Sequence, residues 1–227
     1  MIHIRQHVLS VSIIIGIFFC LLFQNTIAQY YPYTDPDNTA GWTLTEDVSD
    51  EFNGTVVDAS KWFVLGTNGD YRTHWKGRAP SQFTSNNVTV SDGYLTITSK
   101  WDPGFNFADE TKDGYKYGEP APITTGAIIS EKSFLHGYME IRCQAAEGPI
   151  SSSFWSTGSG GELDVFEHYG ENPKKPDVAK KYHTSFHDWR SGSPTFGTRI
   201  WTNEHLLDYR VADDFHIYGF EWDENYV

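Results

Sequence analysis

From Trp42 onward, apolar and polar residues alternate in short runs broken by Gly, Asn and Asp, the pattern of half-buried strands. Asn87 to Val90 and Tyr94 to Ser99 flank Ser91-Asp92-Gly93, which predicts a hairpin with Asp92-Gly93 at its corner. Thr124 to Ser130 and Gly137 to Ala145 predict a second pair. Ser151 to Trp155 and Glu162 to His168 predict a third, separated by the Gly-rich loop Thr157 to Gly161. Phe215 to Trp222 reads as a late strand. Pro103 to Pro122 is rich in Gly, Pro and Lys and predicts a loop on the rim. There is no long amphipathic helix and no internal repeat. Many short strands at this spacing predict one all-β domain, a two-sheet sandwich or jelly roll.

Two segments stand outside that pattern. In residues 1–28, His3, Arg5 and His7 precede an apolar run from Val8 to Phe23, and Thr26-Ile27-Ala28 offers a small residue before Gln29. This predicts a secretory signal peptide and export to the extracellular space or periplasm. The run, about 16 residues, is short for a membrane span of ~20. An uncleaved anchor is the alternative; after cleavage no membrane association is expected. Residues 29–41 are rich in Tyr, Pro and Asp and read as an extended N-terminal arm. Residues 42–227 form the expected domain. Asp223-Glu224-Asn225 reads as a turn and Tyr226-Val227 as the start of another strand, so the domain is expected to lack its C-terminal strands.

Composition narrows the function classes. The net charge is −13, and the leader carries only one of the cations, Arg5. Such an acidic chain is a poor partner for nucleic acid. Cys143 is the one cysteine after the leader, so no internal disulfide forms. It reads as a small packed strand residue rather than a nucleophile. Aromatics reach 16 %, with eight Trp and thirteen Tyr, more than a core of this size needs. Sugar rings have apolar C–H faces that stack on aromatic rings, so the excess fits a carbohydrate groove.

The chemistry concentrates in Gly161-Glu162-Leu163-Asp164-Val165-Phe166-Glu167, where three carboxylates fall within six residues. Alternation puts Glu162 and Asp164 on one face of a strand. Glu167 would point the other way unless one extra residue, a β-bulge at or near Phe166, returned it to that face. Leu163 and Val165 would then enter the core. Crowded carboxylates repel, so a fold has no structural reason to collect them. Glycoside hydrolysis does need them, one ionised as nucleophile and one protonated as acid. A chain this acidic shows the bare spacing by chance about as often as not, so the surroundings must supply the specificity. No Lys or Arg lies between Ser153 and Lys174, whereas a solvated acidic strand would interleave them.

The surroundings do supply it. The heptapeptide resembles the bulged active-site strand of glycoside hydrolase family 16, the family of agarases, carrageenases and laminarinases. Four other stretches resemble that family in the same order: Ser49-Asp50-Glu51-Phe52-Asn53-Gly54 with Lys61-Trp62, Gly137 to Arg142, Ser153-Phe154-Trp155, and Asp214 to Trp222. The resemblance covers about Trp42 to Val227. It implies a concanavalin-like jelly roll with a concave substrate groove suited to internal cleavage of a polymer. It implies Glu162 as nucleophile, Glu167 as acid/base, and Asp164 as the helper that hydrogen-bonds the nucleophile. Trp155 would lie under the sugar at the cleavage site. Three close carboxyls cannot all ionise cheaply, so one proton is retained. Flanked by Phe166 and His168, Glu167 is expected to hold it.

Within the family, Trp75-Lys76-Gly77-Arg78-Ala79-Pro80 resembles a segment of β-agarases and β-porphyranases, which cut β-1,4 bonds in red-algal galactans. This implies that Trp75 and Arg78 line the groove and that His183 reaches the substrate near the cut. His187, Asp188, Trp189 and Arg190 cluster, and His187 and Arg190 are expected to line a subsite. Arg72, Lys76, Arg78 and Arg190 could together form a basic pocket for sulfate. The expected partner is therefore a red-algal galactan, agarose or porphyran, cleaved by a monomer. Laminarin or carrageenan is the alternative substrate, and a non-catalytic carbohydrate-binding jelly roll the alternative class. No cofactor is required. His183, His187 and Asp188 match no common zinc spacing, so no catalytic metal is expected. Glu51 and the turn at Gly93 lie where many family members hold calcium, which allows a structural calcium ion in the full-length protein.

Overall fold

The computed structural model describes residues 31–72 and 75–226; the predicted signal peptide lies outside the described residues. Among the described residues, fifteen strands and three short 3-10 turns make up the regular structure. The first nine strands are short. They are β1 (Trp62–Val64), β2 (Gln82–Phe83), β3 (Val88–Ser91), β4 (Tyr94–Ile97), β5 (Lys100–Trp101), β6 (Thr111–Lys112), β7 (Tyr115–Lys116), β8 (Ile123–Thr125) and β9 (Ile128–Ser130). The long ones follow: β10 (Gly137–Cys143), β11 (Ser151–Gly158), β12 (Gly161–Tyr169), β13 (Lys181–Asp188), β14 (Thr198–Leu206) and β15 (His216–Trp222).

Several expected elements appear where the sequence put them. β3 and β4 pair around Asp92 (φ 55°) and Gly93 (φ 79°), the two positive-φ positions that a type I′ corner demands. The segment 103–122 stays irregular apart from the small β6–β7 hairpin. Other pairings differ. The stretch 124–130 does not pair with 137–145. It breaks at Gly126 into β8, which joins β2 and β5, and β9, which joins β1. A Cβ on Gly126 would sit 2.6 Å from Val88 Cγ2 and 3.2 Å from the Asn87 carbonyl. The chain therefore passes too close to β3 to carry a side chain there. β10 instead pairs with β15 along its whole length. Residues 31–41 form successive turns rather than an extended arm, closed by Asp35 and Asn38 side chains on the backbone N–H groups of Thr39, Ala40 and Trp42.

The four-stranded sheet β11-β12-β13-β14 is the antiparallel frame of the molecule. Its inner face supplies Leu163, Val165 and Phe166 from β12, with Phe154 from β11 and Tyr182 and Phe186 from β13. The β10–β15 pair packs on that face through Met139, Ile141, Cys143, Tyr218 and Phe220. The two layers make the sandwich expected from alternation. Each fully buried apolar side chain of this kind contributes about 1.5–3 kcal/mol.

A histidine packs into this core. His168 is fully buried, stacked on Phe166 at 4.1 Å and edge-on to Tyr218. Neither ring nitrogen has a hydrogen-bond partner among the described residues. Burial, aided by the neighbouring His183 and His216, pulls its pKa down to about 4. The ring is thus neutral in the folded protein and must be charged below about pH 6.5 in the unfolded one. A depressed histidine costs nothing above the unfolded value. Its penalty grows as pH falls from about 6.5 to about 4, reaching roughly 3 kcal/mol. Melting temperature should therefore drop across that window, and His168→Phe, which keeps the stack, should flatten the drop. An equal slope in the variant would remove His168 as its cause.

Candidate active site

β11 and β12 join through the two-residue turn Ser159-Gly160, both with positive φ (49° and 80°). The Gly-rich stretch is thus a tight hairpin rather than a loop. Only glycine fits at 160, because a Cβ would lie 3.0 Å from Arg190 Cα and 3.1 Å from its nitrogen. The Trp189 N–H closes the contact on the Gly160 carbonyl at 2.6 Å.

The decisive irregularity follows within β12. Phe154 pairs with Phe166 and Trp155 with Asp164, leaving Val165 without a partner. Val165 and Phe166 both enter the core, at 0 % and 3 % exposure. That single extra residue restores the alternation, and Glu162, Asp164 and Glu167 emerge together on the outer face. The bulge predicted from the acid spacing is present, one position before Phe166.

The neighbouring strands furnish the acids with partners. On β11, Thr157, Trp155 and Ser153 lie opposite Glu162, Asp164 and Glu167. On β13, His187 lies opposite Glu162 and Ser185 opposite Asp164. The Ser185 hydroxyl donates to Asp164 Oδ2 at 2.6 Å, and His187 Nε2 lies 3.2 Å from the same oxygen. Just past β13, the Trp189 indole N–H donates to Glu162 Oε2 at 3.0 Å. The Trp189 ring lies parallel to that of His187. His183 Nδ1 stands 3.7 Å from Glu167 Oε2. Burial and the nearby Asp164 raise the Glu162 pKa, while Trp189 and His187 oppose the rise. The upward pressure thus falls on the carboxyl expected to be ionised.

Ligand atoms of Glu162, Asp164 and His187 lie within 4.8 Å of one another, close enough to share a cation. Yet Glu162 Oε2 and Asp164 Oδ2 already accept from Trp189 and Ser185. The set reads better as a hydrogen-bonded carboxylate network than as a metal centre.

The predicted substrate residues fall into two groups. Trp75 reaches this face. It is half-buried and meets Trp155 edge-on at 5.6 Å and Phe83 at 5.0 Å. Trp155, His183 and His187 flank the acids as described. The cations are arranged differently. Arg190 turns its guanidinium onto Asp188 through two hydrogen bonds of 2.8 and 2.9 Å. Arg72 pairs with Glu131 and Lys76 with Glu110. The expected basic pocket of four cations therefore does not form; of the four, Arg78 alone is exposed and makes no ion pair among the described residues. A cleft of about 360 Å³ lies in the 103–122 loop beside Phe105, Phe107 and Tyr117 and holds none of the acids.

Sequence reasoning missed Ser185 and two β14 residues beside His183 Nε2, Thr202 (Oγ1 at 3.1 Å) and Arg199 (Nη1 at 3.4 Å), and it treated Trp189 only as part of a cluster. Trp189 owes its position to the turn that follows. Buried Asp188 accepts from the Arg190 backbone and guanidinium and from the Ser193 and Thr195 hydroxyls. These donors hold its pKa far below the usual carboxylate range, the Arg190 side chain most of all. Trp189→Phe removes one N–H from Glu162 and keeps the ring. It should move the acid limb of activity to higher pH, since a carboxyl with one fewer donor ionises later. Asp188→Ala should lower kcat by roughly 10- to 100-fold through misplacement of Trp189. Unchanged kinetics in both would detach this turn from the site.

The sequence and the fold are similar to those of known proteins of one family. The family model for the GH16 domain of β-porphyranases A–D matches residues 42–226. β-Porphyranase D of Zobellia galactanivorans is 28 % identical over 240 residues, covering 88 % of this chain and 51 % of that protein. β-Porphyranase B of Phocaeicola plebeius is 31 % identical over 212 residues, covering 80 % and 62 %. The crystal structure of porphyranase B from Zobellia galactanivorans superimposes with a TM-score of 0.64 at 25 % identity, covering 80 % of this chain and 68 % of that one. The chain thus spans about half to two thirds of the length of these curated relatives.

Proposed function

The chain belongs to the β-porphyranase A–D family of glycoside hydrolase 16 domains, and from that premise we propose that it is the catalytic part of a secreted, retaining endo-hydrolase of red-algal galactan. The observation that carries this reading is the emergence of Glu162, Asp164 and Glu167 on one open sheet face through the bulge at Val165. The bond cleaved is the β-1,4-galactosidic linkage, in porphyran ahead of agarose because the family model and the relatives compared are β-porphyranases.

The roles follow from the contacts. Glu162, held by the Trp189 N–H, attacks the anomeric carbon. Glu167 gives its proton to the departing oxygen, and the C–O bond to the leaving sugar breaks as the bond to Glu162 forms. Glu167, now a carboxylate, then takes a proton from water, which displaces Glu162 and regenerates the acid. Both steps invert the anomeric centre, so configuration is retained. Asp164, anchored by Ser185 and His187, keeps negative charge between the two as the sugar becomes cationic. Trp155 and Trp75 offer ring faces and edges to the sugar beside the acids.

Incubation of the chain with porphyran, agarose, laminarin and carrageenan, with reducing ends counted, should give release from porphyran first. Release from laminarin or carrageenan alone would overturn the substrate assignment. Glu162→Gln should lose at least about a thousandfold in kcat while still binding the polymer. Azide added to Glu162→Ala should yield an α-glycosyl azide, because the small anion attacks from the vacated side. Activity in Glu162→Gln close to the wild-type level would sink the nucleophile assignment.

A further inference from the structure

His183 lies between the acid/base candidate and the edge strand β14. Its Nδ1 faces Glu167 Oε2 at 3.7 Å. Its Nε2 lies 3.1 Å from Thr202 Oγ1 and 3.4 Å from Arg199 Nη1. These two Nε2 neighbours make opposite demands. A guanidinium has no lone pair, so Arg199 only donates. When it does, Nε2 is bare and the ring proton sits on Nδ1, aimed at Glu167. The Thr202 hydroxyl gives its own proton to the Thr184 carbonyl at 3.2 Å, leaving lone pairs for an Nε2–H. In that arrangement Nδ1 is bare and accepts from Glu167. The first arrangement suits a carboxylate, and the second suits a carboxyl group.

We propose that His183 is a positioning residue that changes tautomer with the charge on Glu167: Nδ1–H, held by Arg199, when Glu167 is ionised, and Nε2–H, held by Thr202, when Glu167 is protonated. The proposal rests on the reading of Glu167 as acid/base. Such a residue must be an acid in one half-reaction and a carboxylate in the other. A fixed donor beside it would favour one half at the expense of the other, whereas an exchanging imidazole serves both. The protons balance: on titration one enters from solvent at Nε2 while the Nδ1 proton passes to Glu167; in turnover, where Glu167 gives its proton to the leaving oxygen and takes one from water, one ring nitrogen releases a proton to solvent as the other takes one up, and the ring is neutral before and after. The 3.7 Å gap is the open form of a contact that substrate closes, as catalytic hydrogen bonds commonly tighten on binding.

The surrounding charges leave this exchange to the named groups. Glu162 and Asp164 face it from β12, His187 from β13, and Arg199 and Glu204 from β14, with Glu204 paired to Lys181 at 2.6 Å. The β11 residue opposite Glu167 is Ser153, which carries no charge. Behind the sheet, His168 is held neutral by burial.

The test uses the whole chain with ¹⁵N-labelled histidine. The His183 ring signals are assigned by their loss in His183→Gln and followed through a pH titration. In the wild type they should cross from Nδ1–H to Nε2–H as pH falls through the Glu167 titration. Thr202→Val should hold the Nδ1–H form throughout and lower the alkaline limb of kcat/KM on porphyran by about 0.5 in pH. Arg199→Met should hold the Nε2–H form and raise that limb. A single tautomer across the wild-type titration, or limb shifts of one sign in both variants, would overturn the proposal. Glu167→Gln separates the two readings. If it hydrolyses porphyran like the wild type, the acid/base assignment fails whatever the ring signals show.

Discussion

One extra residue in β12 governs the rest of the molecule. Val165 has no cross-strand partner, so two consecutive side chains, Val165 and Phe166, enter the core. Without that insertion, strict alternation would turn Glu167 inward against Tyr218 and Phe220, because a one-residue slip moves a side chain to the opposite face. An unpaired carboxylate there would be strongly disfavoured. The core contacts that fix the bulge and the display of the third acid are therefore one feature seen from two sides. Packing selects the register, and the register delivers the chemistry.

Three carboxylates on one face create an electrostatic problem that the protein solves mainly with neutral donors. Ser185 and Trp189 donate O–H and N–H groups, and the His187 and His183 rings lie beside Asp164 and Glu167. Arg190, which follows Trp189 in the turn after β13, is turned away onto Asp188. A guanidinium placed among the acids would hold all of them ionised, and no proton would remain for the leaving group. Neutral donors relieve the repulsion while leaving the balance of charge adjustable. The pKa of Glu162 shows the balance, with burial and Asp164 pushing upward and Trp189 and His187 pulling back.

The acids were legible because their signal is local. Alternation and a single count of residues place Glu162, Asp164 and Glu167 on one face, and the hairpin at Asp92-Gly93 follows from turn chemistry in the same way. Ser185, Thr202 and Arg199 were not legible, since their relevance depends on the register of β13 and β14 against β12. That register is set by long-range pairing and by a second shift between Phe186 and His187. The split of 124–130 at Gly126 depends on how near β3 passes, which no local pattern records. The expected basic pocket failed for a related reason. Sequence shows that Arg72, Lys76 and Arg190 are cations, whereas Glu131, Glu110 and Asp188 reach them only after folding.

The acids and the Trp75 segment have separate mechanical supports. The acids are fixed by β12 and its core. Trp75 is carried by an irregular segment that meets the catalytic sheet at Trp155. That segment is braced from behind. Gly77 sits at φ +122°, where a Cβ would approach the Ser81 carbonyl to 3.0 Å, and the Tyr117 hydroxyl donates to the Gly77 carbonyl at 2.8 Å. Tyr117 belongs to the long 103–122 loop, whose Gly118 and Ala108 N–H groups also tie down Pro80 and Gln82. Changes in that loop can move Trp75 and Arg78 without disturbing the bulge. The bulged strand and the 75–80 segment are thus held by separate contacts, and under the proposed function an exchange of the loops that brace the groove would change the polymer without moving the acids.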